Sequence, residues 1–94
     1  MISQKVADMP EMSIDTSADA IRAWLIERVA FYAERRPDEI ATDTRLVELG
    51  LDSVYALTLG GDIEDRFGVE VEATLGWDHP TIDAITAYLV AELG

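Results

Sequence analysis

The stretch "GLDSVYALTLGGDIEDRFG", Gly50 to Gly68, decides how this chain folds. Spaced 100° apart, Leu59, Ile63 and Phe67 fall on one side of a helix, with Ala56 and Gly60 between them. Val54, Thr58, Gly61 and Asp65 fall on the opposite side, flanked by Asp62 and Glu64, with Leu57 at the border. This pattern predicts an amphipathic helix from Ser53 to Phe67 with one side in a core and one in water. Asp52 or Ser53 suits its cap, and Gly68 closes it. Gly50 allows a turn just before it. The two inner glycines each weaken a helix by about 0.5–1 kcal/mol relative to alanine. Gly60 faces the core, where a missing side chain permits close packing. Gly61 faces outward and has no packing reason, so a soft helix and a closely approaching partner both stay open.

Working outward, Ile21, Leu25, Val29 and Tyr32 recur at helical spacing with Trp24 beside them. They predict a first helix starting at Thr16 or Ser17, carrying Arg35 and Arg36 at the negative end of its dipole and stopped by Pro37. The sixteen residues from Pro37 to Asp52 read as a long loop, pinned to the core by Ile40, Leu46, Leu49 and Leu51. "VEVEATLGW" reads as an extended piece followed by a turn or two of helix. "DHPT" is a break, and Ile82, Ile85, Leu89 and Leu93 form the stripe of a last helix. The expected fold is all-α: a small four-helix bundle of three main helices and one short one, with a long loop between helices one and two. Residues 1–15 read as a flexible N-terminal tail and residues 16–94 as the folded domain.

The formal charge is -12, from 19 acids and 7 bases. Such a surface opposes nucleic acid and anionic membranes, and favours partners with basic patches. From Ser53 onward Arg66 is the one base, against eight acids. The chain has no cysteine, hence no disulfide and no thiolate nucleophile. No run of signal-peptide or transmembrane length occurs, so a cytoplasmic, monomeric protein is expected.

Ser53 admits three roles. A nucleophile needs a base and an oxyanion hole, yet His79 is the single histidine and no G-x-S-x-G elbow surrounds the serine. A cap is a role that Asp52 can fill alone, leaving the Ser53 hydroxyl free at the first turn. An attachment point is the third: a helix N-terminus favours a phosphate, and a separate enzyme can activate the hydroxyl. Val54, apolar and outward beside that serine, reads as a partner contact.

"ELGLDSV" resembles the modification motif of acyl carrier proteins, in which a serine after aspartate receives 4'-phosphopantetheine from coenzyme A. "IEDRFGVEV" resembles the end of that family's second helix, and "LGWDHPTIDAITAYL" resembles the start of the last helix in polyketide synthase carrier domains. The resemblance runs from about Ala18 to Leu93. It implies a non-catalytic carrier with an acyl-carrier-type bundle over residues 16–94. Ser53 would hold the 4'-phosphopantetheine, and Asp52 would complete the motif. Val54, Thr58, Gly61, Asp62, Glu64 and Asp65 would meet partners on the second helix. The implied partners are a phosphopantetheinyl transferase and an acyltransferase, acyl ligase or ketosynthase with basic docking patches.

Val54 stands where that family usually has leucine, Thr58 where fatty-acid carriers often have an acid, and Gly61 where a larger apolar residue is common. These departures point to polyketide or related natural-product assembly rather than fatty-acid synthesis. "LGLDS" is less similar to the "GGxS" pattern of peptidyl carriers, which stay the alternative within the class. An acidic helical adaptor that carries nothing is the alternative outside it. A chain beginning at Met1 with one domain suits a free-standing carrier and equally a domain of a longer synthase.

Overall fold

The computed structural model describes residues 16–94; the expected tail, residues 1–15, lies outside them. Four α-helices follow in order: α1 (Ala18–Ala33), α2 (Ser53–Phe67), α3 (Leu75–Asp78) and α4 (Ile82–Leu93). Among the described residues there is no β-strand, and the expected bundle of three main helices and one short helix is present.

Each main helix starts where a short polar side chain meets free N–H groups. Ser17 accepts from Ala20 N–H, Asp52 from Val54 and Tyr55 N–H, and Thr81 from Ala84 N–H. The α2 boundaries are those the sequence predicts, closed by Gly68 at φ 72°. α1 stops earlier than expected. Glu34 takes a left-handed conformation at φ 57°, and the Arg35 N–H reaches back to the Ala30 carbonyl. Arg35 and Arg36 therefore lie beyond the helix rather than in its last turn.

Ile21, Leu25 and Val29 of α1, Leu59 and Ile63 of α2, and Ile82, Ile85 and Leu89 of α4 are fully or almost fully buried. At about 1.5–3 kcal/mol per buried aliphatic side chain, this shared core is the main source of stability. Tyr32, Phe67 and Leu93, expected in the stripes, are half-buried at its edge. Thr86 is buried among them, and its hydroxyl donates to the Ile82 carbonyl at 2.8 Å, so no polar group is left orphaned there. α1 packs most extensively on α4, where Arg22 pairs with Asp83 at 3.1 Å.

The segment from Pro37 to Asp52 is more ordered than a plain loop. It holds two short 3₁₀ turns, Pro37–Glu39 and Leu46–Leu49. Ile40, Leu46 and Leu51 are buried, so the expected pinning occurs; Leu49 is half-buried. Two backbone hydrogen bonds tie the segment to the start of α4: Leu46 N–H to Pro80 O at 2.9 Å and Asp83 N–H to Thr42 O at 3.0 Å. Arg45 and Thr81 pair as an isolated bridge between them.

Candidate functional site

The chain turns at Gly50 with φ 86°, buries Leu51, and enters α2 at Ser53. One oxygen of Asp52 accepts from Val54 N–H at 3.1 Å and Tyr55 N–H at 3.3 Å. The cap is thus complete without Ser53. The serine occupies the first helical position, exposed, and its hydroxyl bonds to no other described residue. An oxygen there lies at the positive end of the α2 dipole, which favours an attached anion.

Val54, Thr58, Gly61 and Asp65 are all exposed along the outer side of α2. Leu57, read from sequence as a border residue, is more than half exposed and widens the apolar part of this side. Thr58 turns its hydroxyl back to the Val54 carbonyl at 3.1 Å. A side chain at Gly61 would meet open space, whereas one at Gly60 would press on Val71 at 3.3 Å. The Gly60 approach is therefore made by the connecting segment after α2 rather than by another helix. Glu64 is exposed but tethered, accepting from Val71 N–H at 2.8 Å.

Asp62 corrects the expectation of an outward-facing acid. Its side chain is 28% exposed and turns to α1, where it pairs with Arg28 at 3.1 Å and accepts from the Tyr32 hydroxyl. The Arg28 guanidinium lies 5.2 Å from the centroids of both Phe31 and Tyr32. Burial, then the bond to Asp62, raises the Tyr32 pKa; the bond to Tyr32 leads the causes that raise that of Arg28.

Sequence reading overlooked the other wall of the Ser53 site. A pocket of about 320 Å³ lies beside Ser53, between the Arg45–Leu51 segment, the start of α2, and α3. Val47, Leu51, Ala56 and Trp77 make it largely apolar, and Arg45 contributes the one cation. Trp77 is 83% exposed and Val47 60%. The signal that would have exposed Trp77 is the shortness of α3: four residues cannot bury every side. α3 sits tight on α2, since a side chain at Gly76 would come within 3.1 Å of the Ala56 methyl.

His79 packs against the Tyr88 ring, centroids 4.5 Å apart, and does not line this pocket. Glu64, Glu70, Glu72 and Glu92 border a shallow groove over Tyr88. Burial first, then Glu92 and Glu72, raise the Tyr88 pKa. Among the described residues no helix is long and apolar enough to cross a membrane.

The family model described as "Phosphopantetheine attachment site" matches residues 23–89. The chain is 39% identical, over 79 residues, to one of the subunits of the phenolphthiocerol/phthiocerol polyketide synthase of Mycobacterium tuberculosis. That match takes in 84% of this chain and only 4% of the length of the curated relative. A solved free-standing peptidyl carrier protein from an Acinetobacter baumannii secondary metabolic pathway superposes with a TM-score of 0.80 at 39% identity. It covers 85% of this chain and 100% of that one. The acyl carrier protein LipD of Actinoplanes friuliensis superposes with a TM-score of 0.71 at 46% identity, covering 86% and 92% of the two chains.

Proposed function

Because the chain belongs to the phosphopantetheine-attachment family of carrier proteins, whose members hold 4'-phosphopantetheine covalently, we propose that Ser53 bears the group and that the chain carries acyl intermediates in polyketide-type assembly. One observation carries the assignment of Ser53: its hydroxyl is exposed and unbonded at the start of α2 while Asp52 holds the cap alone. A transferase can take the Ser53 proton and add the arm without breaking any contact of the fold. Ser53 Oγ then forms a bond to the phosphorus of coenzyme A nearer the pantetheine, and adenosine 3',5'-bisphosphate leaves. The arm supplies the thiol that this cysteine-free chain lacks. The chain's own part is to hold Ser53 at a rigid helix end and to present a surface beside it.

That surface is the outer side of α2: Val54, Leu57, Thr58, Gly61 and Asp65, with Glu64 at its edge. It pairs exposed apolar residues near Ser53 with acids further along, on a chain of net charge -12. Basic patches on synthase enzymes and on the transferase would meet it by electrostatic steering and release it readily. Asp62, committed to Arg28 and Tyr32, belongs to the bundle rather than to this surface. The polyketide reading rests on the likeness to the mycobacterial synthase. A peptidyl carrier is the second reading, favoured by the likeness to the Acinetobacter baumannii protein.

The test is incubation with coenzyme A, magnesium and a phosphopantetheinyl transferase, read by intact mass. One arm is expected on the native chain and none on Ser53→Ala. An arm on the alanine variant, or none on the native chain, refutes the assignment. The thioester found on protein from its native host then separates the pathways: a ketide supports the first reading, an aminoacyl group the second.

A further inference from the structure

Two facts about the Ser53 site do not follow from attachment alone. First, two of the α2 amides that would ordinarily receive an anion are already engaged, because Val54 and Tyr55 N–H both donate to Asp52. A phosphodiester on Ser53 also stands next to the Asp52 charge, on a strongly acidic chain. Of the first-turn amides only the Ser53 N–H is left to it, so a cation from elsewhere would add to the hold on the anion.

Second, the pocket beside Ser53 has one cation, Arg45, and that cation is uncommitted. Arg22, Arg28 and Arg36 are paired with Asp83, Asp62 and Asp38, Arg66 lies over the Trp24 ring, and Arg35, also without a side-chain partner among the described residues, does not line the pocket. The Arg45 side chain makes no ion pair or hydrogen bond to a described residue, although acids outnumber bases 19 to 7. Its backbone is fixed all the same, since Arg45 bridges to Thr81 and the next N–H donates to Pro80. A guanidinium presents a planar fork of donors that matches two phosphate oxygens at once. Beyond the phosphate, the dimethyl-bearing pantoyl unit of the arm is apolar, as are Val47, Ala56 and Trp77.

We propose that Arg45 holds the phosphodiester of the Ser53-borne arm, so that between encounters the arm rests across the pocket against Val47 and Trp77. This rests on Ser53 being the attachment residue. The anion is the phosphodiester rather than a carboxylate on the cargo, because the phosphodiester is bonded to a residue that itself lines the pocket.

The test compares amide and indole NMR spectra of the chain before and after transferase treatment, with mass spectrometry confirming one arm. In the native chain, shifts are expected at Val47, Gly76 and the Trp77 indole N–H as well as at residues 52–54. In Arg45→Gln the shifts at Val47, Gly76 and Trp77 should be largely lost and those at residues 52–54 kept, and Arg45→Lys should restore part of the loss. Should Arg45→Gln disturb the fold, salt titration of the native loaded chain replaces it: the Trp77 shift and the arm's phosphorus resonance should move together toward unbound values. A loaded chain with shifts confined to residues 52–54, or an unchanged pattern in Arg45→Gln, overturns the proposal while sparing the attachment reading. Shifts that appear only when a malonyl group is on the thiol, and not with the bare or acetylated arm, also overturn it. No mass gain at all overturns both.

Discussion

Replacing Asp62 with alanine separates a bundle residue from a docking residue. The Asp62 carboxylate joins α2 to α1 by an ion pair to Arg28 at 3.1 Å and a bond from the Tyr32 hydroxyl. The two charged side chains are 28% and 33% exposed, so water screens the pair and the penalty of a fully buried one does not apply. Arg28 also keeps the Phe31 and Tyr32 rings, so its charge is not orphaned by the change. A charge-assisted hydrogen bond plus a partly screened ion pair amounts to about 1–2 kcal/mol. At roughly 4–8 °C per kcal/mol for a domain of this size, Asp62→Ala should lower Tm by about 4–16 °C. Thermal unfolding followed by circular dichroism measures it, and a cycle with Arg28→Met isolates the pair. Acyl transfer at a temperature where both forms are folded should be unchanged. A Tm within 2 °C of the native value, roughly the noise of a surface substitution, would refute the α1–α2 clasp. Slowed transfer in the folded variant would return Asp62 to the docking surface.

Asp65→Lys, on the open side of α2, should slow acyl transfer with little change in Tm, and the loss should shrink at high salt; equal rates at low salt would remove the docking surface. Glu64→Lys should slow transfer and also destabilise the turn after α2, because Glu64 holds the Val71 amide; both readouts are taken on one sample. Gly61→Ala meets open space and should stabilise α2 by about 0.5–1 kcal/mol in urea denaturation. Tyr32 and Tyr88 both have pKa values raised above the usual 10.0. Their contribution is therefore complete below that value and lost as pH rises through the folded-state values, so stability should fall on the alkaline side, less steeply in Tyr32→Phe.

The second helix was legible because its signals are local. Asp52 and Gly68 bracket it, and the spacing of Leu59, Ile63 and Phe67 against Val54, Thr58 and Asp65 separates core from surface. The end of α1 was not legible, because a glutamate, Glu34, takes the left-handed cap that glycine ordinarily fills and so terminates the helix before the proline. Asp62 was misread for a different reason. Helical angle puts it at a flank, and only Arg28, 34 residues away, decides which way it turns. The Ser53 pocket needed the same long-range information, since Arg45 and Trp77 come to line one pocket only when the segment before α2 is laid against α3.

The two hydrogen bonds that tie residues 42–46 to residues 80–83 give the molecule a seam. The bundle is held by apolar contacts among α1, α2 and α4, whereas the seam is short and lies near the surface. Local opening at the seam should need less free energy than global unfolding, so the Leu46 and Asp83 amides should exchange with deuterium sooner than those of Leu25 or Leu89. Such an opening would part Arg45 and Val47 from Pro80 and dissolve the wall of the pocket, while α2 kept Ser53 at its end. A partner that pried the seam open would change the surroundings of the arm without loosening the bundle that presents it.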